Sequence, residues 1–99
     1  MVKYLLTNRA VEDLTNIWNY TFDQWSEDQA DNYYQMLISN CEEIGANPKL
    51  GKKYDGIKSG LLGLRTNKHI IFYREIADNQ VEITRILHGT MDLKNRLLE

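Results

Sequence analysis

The stretch GLLGLRTNKHIIFYREIADNQVEITRILH, residues 60–88, contains three runs rich in β-branched and aromatic residues. Such runs are typical of β-strands, and here they cover Gly60–Arg65, Lys68–Arg74 and Val81–His88. Thr66-Asn67 and Ala77-Asp78-Asn79 lie between them and are predicted to be turns. Because links this short join neighbouring strands, the stretch predicts an antiparallel sheet.

The third run also alternates along its length. One set of positions holds Val81, Ile83, Arg85 and Leu87, and the other holds Glu82, Thr84, Ile86 and His88. Since successive side chains of a strand point to opposite faces, the alternation predicts one set on each face.

Before residue 46 the apolar residues are spaced as in helices. A first helix is predicted from Val11, Leu14, Ile17, Trp18, Phe22 and Trp25, and a second from Ala30, Tyr33, Tyr34, Leu37, Cys41 and Ile44. Thr7-Asn8 can cap the first helix, whose positive end Glu12 and Asp13 would suit. Ser26 with Gln29 forms a capping box for the second, and Gly45 and Pro48 predict its end. The short link between the helices predicts an antiparallel hairpin, with the aromatic residues used in packing.

The remaining segments complete the order β-α-α-β-β-β plus a tail. Residues 2–6 are predicted to be an opening strand, residues 46–58 a basic loop with four lysines, and Met91–Leu98 a short helix or tail. A helical hairpin on a mainly antiparallel sheet is an α+β fold. We expect one domain over residues 1–99, because no composition shift or linker divides them.

The charge is unevenly distributed around a net value of −2. Residues 1–48 hold two basic and eight acidic residues, whereas residues 49–99 hold ten basic and six acidic ones. The split indicates either an anionic partner for the C-terminal half or acidic, solvated faces on the helices.

The residue pattern predicts neither a metal nor an organic cofactor. The two histidines, His69 and His88, lie far apart in the chain, and no phosphate-cradling glycine motif is present. Cys41 falls among apolar helix positions and is expected to be a core residue. The sequence shows neither a signal peptide nor an apolar run long enough to span a membrane, so we expect a cytoplasmic protein.

Several motifs then combine along nearly the whole chain. They are Leu14-x-x-Ile17-x-x-Tyr20, Asn47-Pro48-x-x-Gly51, Gly63-Leu64-Arg65 leading into His69–Arg74, and Ile83–Asp92. Together they resemble the RelE/ParE superfamily of bacterial type II toxins, and more closely its ParE branch. The two C-terminal segments carry most of the resemblance, because amphipathic hairpins occur in many small domains.

The resemblance implies a cognate antitoxin, ParD-like or of another class, bound in a toxin–antitoxin hetero-oligomer. It also implies one of two activities: RelE-like toxins cut mRNA on the ribosome, and ParE-like toxins poison DNA gyrase without known nuclease chemistry. A third alternative is an inactive homologue that serves only as a binding module.

Chemistry favours the gyrase inhibitor over the endoribonuclease. For RNA cleavage, Arg65 and Arg85 could stabilise phosphate charge and His88 could move protons. However, Gly89 follows His88 where some nuclease relatives have a catalytic group, and residues 90–99 contain neither Tyr nor His. The candidate target-binding residues are Arg65, Arg74, Arg85, His88, Met91 and Asp92.

Structural roles are the alternative for each candidate. The arginines could pair with acids or flank the core, and His88 could be a hydrogen-bonded structural histidine. Lys52 and Lys53 are expected to be solvated. The apolar tail residues Met91, Leu93, Leu97 and Leu98 could dock on the protein's own sheet or form the surface that a partner covers.

Overall fold

A computed structural model describes residues 3–78 and 80–98. Its elements are β1 (Lys3–Leu6), α1 (Asn8–Gln24), α2 (Glu27–Ala46), β2 (Lys52–Lys53), β3 (Leu62–Thr66), β4 (His69–Ala77), β5 (Gln80–His88) and α3 (Leu93–Leu97). The predicted α+β fold is therefore confirmed, with strand ends that shift by one to three residues. Val2 of the predicted opening strand, Asn79 of the predicted turn and Glu99 lie outside the described residues.

The sheet has the strand order β1-β5-β4-β3-β2. Antiparallel pairing joins β2 to β3, β3 to β4 and β4 to β5, whereas β1 runs parallel to β5 with Tyr4 opposite Val81. The prediction of a mainly antiparallel sheet is confirmed. The basic loop was predicted without a strand, and this was wrong at Lys52–Lys53, which pair with Gly63 and Leu62.

The helix starts follow the predicted N-caps, but among the described residues the capping box is only half formed, because the Ser26 amide does not bond to the Gln29 side chain. Thr7 Oγ1 accepts from the Ala10 amide and Ser26 Oγ accepts from the Gln29 amide, both at 3.1 Å. Glu12 and Asp13 lie beyond the first turn of α1. The prediction that they interact with the positive end of this helix was therefore wrong. Gly45 was predicted to help end α2 but is buried inside that helix, which continues to Ala46.

The predicted alternation of β5 was wrong beyond Thr84. The β4–β5 register shifts between Phe72 and Tyr73, so Tyr73 lies opposite Ile83 while Phe72 lies opposite Arg85. A bulge of this kind places one extra residue in β5 and reverses which face the following side chains point to. Val81, Ile83 and Ile86 therefore pack together, and Leu87 packs elsewhere.

Two apolar clusters result. The larger one packs the two long helices on the sheet and contains Leu14, Leu37, Cys41, Ile44, Ile71, Tyr73, Val81, Ile83 and Ile86. The smaller one contains Leu61, Ile70, Phe72 and Leu87, with Tyr54, Ile57, Leu93 and Leu97 packed against it. Leu93 and Leu97 of α3 thus dock on the protein's own sheet, whereas Met91 and Leu98 remain exposed.

Tyr73 fixes the loop after α2. Its buried hydroxyl donates to the Pro48 carbonyl at 2.9 Å and accepts from the Gly51 amide at 2.7 Å. A Cβ atom at Gly51 would lie 2.5 Å from this hydroxyl, so residue 51 must be glycine for the loop to close. Burial raises the pKa of Tyr73, which keeps the hydroxyl protonated and able to donate. No helix among the described residues is long and apolar enough to cross a membrane.

Candidate functional site

An open groove of about 750 Å³ lies between the helical hairpin and the end of β5. Its walls include Ile17, Tyr20, Trp25, Tyr33, Lys68 and His88, and we call it the hairpin groove. Tyr20 and Trp25 are 65% and 69% exposed, so its helical wall presents apolar surface to solvent. Aromatic surface beside cationic side chains is typical of a protein-binding site.

Aromatic residues of the hairpin divide into packed and exposed groups. Trp18 stacks on Phe22 and donates from Nε1 to Asp31 Oδ1 at 2.9 Å, across the link between α1 and α2. This contact is that of an antiparallel hairpin and agrees with the predicted packing role. The same prediction was wrong for Trp25 and Tyr34, which are 69% and 38% exposed.

The two histidines, distant in the chain, are neighbours in the sheet. The β4–β5 register places His69 opposite His88, with ring centroids 5.3 Å apart. Tyr33 reaches across from α2, and its hydroxyl hydrogen-bonds to His69 Nδ1 at 2.6 Å. The spacing of these three residues in the sequence does not predict the cluster, because it depends on strand register and on helix packing.

This environment makes His69 a poor catalyst at neutral pH. Burial, with a smaller contribution from His88, lowers the pKa of His69 to about 4. Burial also raises the pKa of Tyr33, which weakens that hydroxyl as an acid. Efficient proton transfer needs a pKa near the working pH, and neither group meets that requirement.

His88 is engaged in local hydrogen bonds. Its Nδ1 accepts from the Thr90 backbone amide at 3.2 Å and lies 2.7 Å from the Thr90 hydroxyl. Since Nδ1 accepts a hydrogen bond, neutral His88 carries its proton on Nε2. The structural alternative raised for this residue therefore has a geometric basis.

Arg85 lies in a structural network. It donates from Nε and Nη2 to the two carboxylate oxygens of Asp13 at 2.8 and 3.1 Å, and from Nη1 to the Arg96 carbonyl. The same carboxylate accepts from the Ile86 amide at 2.9 Å. Both charged side chains are only 13% exposed. Asp13, which lies on α1, thereby supplies a hydrogen-bond acceptor for the Ile86 amide of β5, beyond the end of β1. Through Arg85 it also links α1 and α3 to β5.

Arg65 differs from Arg85 in its surroundings. It is exposed, and its guanidinium lies over Gly89, where a Cβ atom would come within 2.9 Å of Nη1. No carboxylate of residues 3–78 or 80–98 pairs with Arg65. Gly89, which the sequence marked only as a missing catalytic group, makes room for this guanidinium.

The other candidate residues are dispersed. Arg74 pairs with Glu82 at 3.0 Å on the surface, where such pairs contribute little to stability. Asp92 caps α3, because its oxygens accept from the backbone and side-chain amides of Asn95. Met91 is 42% exposed and lines the hairpin groove. The structure thus places Arg85, His88 and Met91 in the lining of the groove. It places Arg65, Arg74 and Asp92 outside that lining.

Neither a metal-ligand cluster nor a cysteine lies among the described residues that line the hairpin groove. Among the described residues, no group of three or more His, Cys, Asp or Glu side chains could hold a metal ion. Cys41 is buried, as predicted, and burial raises the pKa of its thiol to about 12. A thiol of this kind does not act as a nucleophile.

Comparison with known families gives a match over most of the chain. The family described as "ParE toxin of type II toxin-antitoxin system, parDE" matches residues 4–93. Toxin ParE1 of Mycobacterium tuberculosis strain H37Rv is 35% identical over 95 residues, which cover 96% of this chain and 97% of that protein. Toxin ParE1 of Caulobacter vibrioides is 33% identical over 97 residues, covering 98% and 99%.

Solved structures share the fold at lower sequence identity. A chain of the chromosomal ParDE system from P. aeruginosa has a TM-score of 0.74 and 18% identity, covering 89% of this chain and 96% of that one. A chain of the toxin–antitoxin complex RelBE2 from Mycobacterium tuberculosis has a TM-score of 0.69 and 17% identity, covering 88% and 96%. The same fold thus occurs in complexes named for both branches, and fold alone does not select an activity.

Proposed function

The chain belongs to the ParE toxin family of type II toxin–antitoxin systems, and from this we propose that it poisons DNA gyrase in the cytoplasm and is neutralised by a cognate antitoxin. A poison does no chemistry of its own. It binds the cleaved gyrase–DNA state more tightly than the resealed state and shifts the population by that difference in affinity.

One observation carries the choice of a binding inhibitor over an endoribonuclease. Two of the three groups that could cleave RNA are held in structural contacts: Arg85 by Asp13, and His88 by Thr90. His69, with its pKa near 4, is a weak base in the cell. The acid and base that RNA cleavage needs are therefore hard to assign here.

Arg65 is the strongest candidate for a gyrase contact. Its guanidinium is exposed and without a carboxylate partner among the described residues, so binding to a partner breaks no ion pair within the toxin. Arginine is enriched among residues that dominate binding energies, because its planar group donates several hydrogen bonds. For Arg85, by contrast, we propose a role in stability, because it is paired with Asp13.

The antitoxin is proposed to occupy the hairpin groove. The groove combines exposed Tyr20, Trp25 and Met91 with the cations Lys68 and Arg96. An amphipathic segment with apolar residues on one side and acidic residues at its rim would complement this surface. Toxin–antitoxin complexes with the same fold support an antitoxin as the partner.

The decisive test measures both activities with purified protein. We expect the toxin to trap cleaved plasmid with gyrase, and Arg65→Gln to reduce trapping at least tenfold, since loss of a residue that dominates binding costs about 2 kcal/mol or more. Lys53→Gln is the matched control, because it removes one exposed positive charge from β2.

In cells, induction should trigger DNA-damage signalling and stop replication while translation continues. If translation stops first and mRNAs are cut on ribosomes, the gyrase proposal fails and the endoribonuclease takes its place. If neither process is inhibited while the antitoxin still binds, the chain is an inactive binding module.

A further inference from the structure

Charges of opposite sign lie on separate surfaces of the protein. Six exposed acidic residues of α1 and α2 form no ion pair within residues 3–78 and 80–98: Glu12, Asp23, Glu27, Asp28, Glu42 and Glu43. Six exposed lysines outside the helical hairpin also lack a carboxylate partner within those residues: Lys49, Lys52, Lys53, Lys58, Lys68 and Lys94. The fold keeps the two sets apart, so they do not pair with each other within one molecule.

Part of the acidic surface also exposes apolar side chains. Val11, Trp18 and Phe22 are spaced so that they share one face of α1, which we call the α1 stripe. Val11 and Phe22 are each 46% exposed, and Trp18 stacks on Phe22 with ring centroids 5.3 Å apart. Glu12 and Asp23 are the chain neighbours of the two end members. The α1 stripe is thus an apolar surface with carboxylates beside it.

The loop after α2 has the opposite combination of charge and apolar surface. Leu50 is 42% exposed and has lysines near it at positions 49, 52 and 53, so we call residues 49–53 the lysine loop. The Leu50 amide donates to the Asn47 carbonyl at 3.0 Å, and the Gly51 amide donates to the Tyr73 hydroxyl at 2.7 Å. Because these bonds hold the loop in place beforehand, docking on a partner costs little ordering of its backbone.

We propose that the lysine loop of one copy docks on the α1 stripe of a second copy, so that the free toxin associates with itself. Leu50 would meet the apolar side chains, and the lysines would meet the carboxylates beside them. The α1 stripe is about 16 Å long and the lysine loop spans at most about 14 Å, so the two are similar in length. The net charge of −2 leaves little repulsion between whole copies.

This contact joins two different surfaces of the chain. A contact between two α1 stripes is disfavoured, because it would bring Glu12 and Asp23 of both copies together. In the loop-on-stripe contact each copy keeps one loop or one stripe free, so the assembly grows head to tail into a ring or an open chain. A five-residue loop buries little surface, and we therefore expect a weak association that depends on salt. The inference goes beyond the proposed function, because it involves neither gyrase nor an antitoxin.

Sedimentation equilibrium of the full-length toxin alone tests the proposal. We expect the average mass to rise with concentration between about 10 and about 500 μM at low salt, as for a weak interface. It should return to that of the monomer in about 0.5 M salt, where exposed charges are screened within about 4 Å.

Charge reversal on either surface should weaken the association. Lys49→Glu and Asp23→Lys should each raise its dissociation constant about fivefold or more, because each replaces an attraction by a repulsion. Lys94→Glu and Glu75→Lys are the matched controls, since they make the same charge changes at exposed positions outside both surfaces. Leu50→Ser, which changes no charge, should weaken the association by about fivefold through its apolar part. Urea unfolding checks that every variant folds.

A mixture of the two charge variants gives the sharpest result. Lys49→Glu keeps an intact α1 stripe and Asp23→Lys keeps an intact lysine loop, so an equimolar mixture should associate again although neither variant does so alone. A wild-type toxin that stays monomeric at low salt would overturn the inference, as would charge variants that associate like their controls or a mixture that stays monomeric.

The antitoxin is the other possible occupant of the α1 stripe. If the wild-type toxin is monomeric and Asp23→Lys weakens antitoxin binding instead, the self-association is wrong and the α1 stripe is reassigned to the antitoxin. Because gyrase is absent from the sedimentation experiment, failure there leaves the gyrase proposal standing, and failure of gyrase trapping leaves this inference standing.

Discussion

Arg85 and Arg65 both lie on the sheet but in opposite environments. Arg85 binds the Asp13 carboxylate with two nitrogens and is 13% exposed, whereas Arg65 lies in solvent over Gly89. Burying a charge is costly unless it is paired, so Arg85 is committed to holding α1, β5 and α3 together. An exposed, unpaired guanidinium adds little to stability and is available for a partner. Residue type alone therefore does not identify a functional arginine; its partners do.

The largest expected effect is at the Asp13–Arg85 ion pair, whose side chains are 13% exposed. Asp13→Ala removes the carboxylate that accepts from Nε and Nη2 of Arg85 and from the Ile86 amide. We expect the free energy of unfolding to fall by about 3 kcal/mol, because removing one partner of a largely buried ion pair is strongly destabilising. Urea unfolding measures it. An Asp13→Ala, Arg85→Met double variant should recover part of the loss, and a double variant less stable than Asp13→Ala would contradict this account.

His69 gives a pH-dependent effect of intermediate size. Its pKa falls from 6.5 in the unfolded chain to about 4 in the folded one, so unfolding takes up a proton between these values. The resulting stability is complete above pH 6.5 and is lost as the pH falls towards 4. The fall in the free energy of unfolding between pH 7 and 4.5 should be smaller in His69→Gln by on the order of 1–2 kcal/mol, after allowance for solvent screening. Unfolding at pH 7 and 4.5 compares the two proteins, and equal losses would contradict the assignment.

A smaller effect is expected at Gly89, over which the Arg65 guanidinium lies. In Gly89→Ala the new Cβ would lie 2.9 Å from Arg65 Nη1, and the end of a flexible side chain can move away. We expect stability to fall by at most about 1 kcal/mol, while gyrase trapping falls because the guanidinium is displaced. Thermal unfolding measures the effect on stability, and the trapping assay measures the effect on gyrase. Unchanged trapping would show that this position of Arg65 does not matter.

The smallest effect on stability is expected for Arg65→Gln. An exposed side chain without an ionic partner among the described residues should change the free energy of unfolding by less than about 0.5 kcal/mol. A larger loss in urea unfolding would place Arg65 with Arg85 as a structural residue. The comparison between the two arginines would then lose its basis.

The elements were predictable because local signals decide them. Helical spacing, the caps at Thr7 and Ser26, and the turn before His69 each depend on a few neighbouring residues. The faces to which the β5 side chains point were harder to predict. The bulge at Thr84 reverses the alternation of the side chains, and no residue pattern in the sequence indicates a bulge there.

The site was the least predictable part. The Tyr33–His69–His88 cluster arises from strand register and helix packing, and the Asp13–Arg85 pair joins residues 72 positions apart. Pairings over such separations are decided by the whole fold. Sequence reasoning therefore identified the chemically capable residues but not which of them were already engaged.

The parallel pairing of β1 with β5 has a consequence for the timing of synthesis. Tyr4 pairs with Val81, so the first strand waits for the last strand before the sheet can close. At roughly 5–20 residues per second, this takes about 4–15 s of translation. Closure of so long a loop also slows folding. The sheet is therefore completed only after the residues that pair with β1 have been synthesised, and we expect the proposed contacts with gyrase and with the antitoxin to form no earlier.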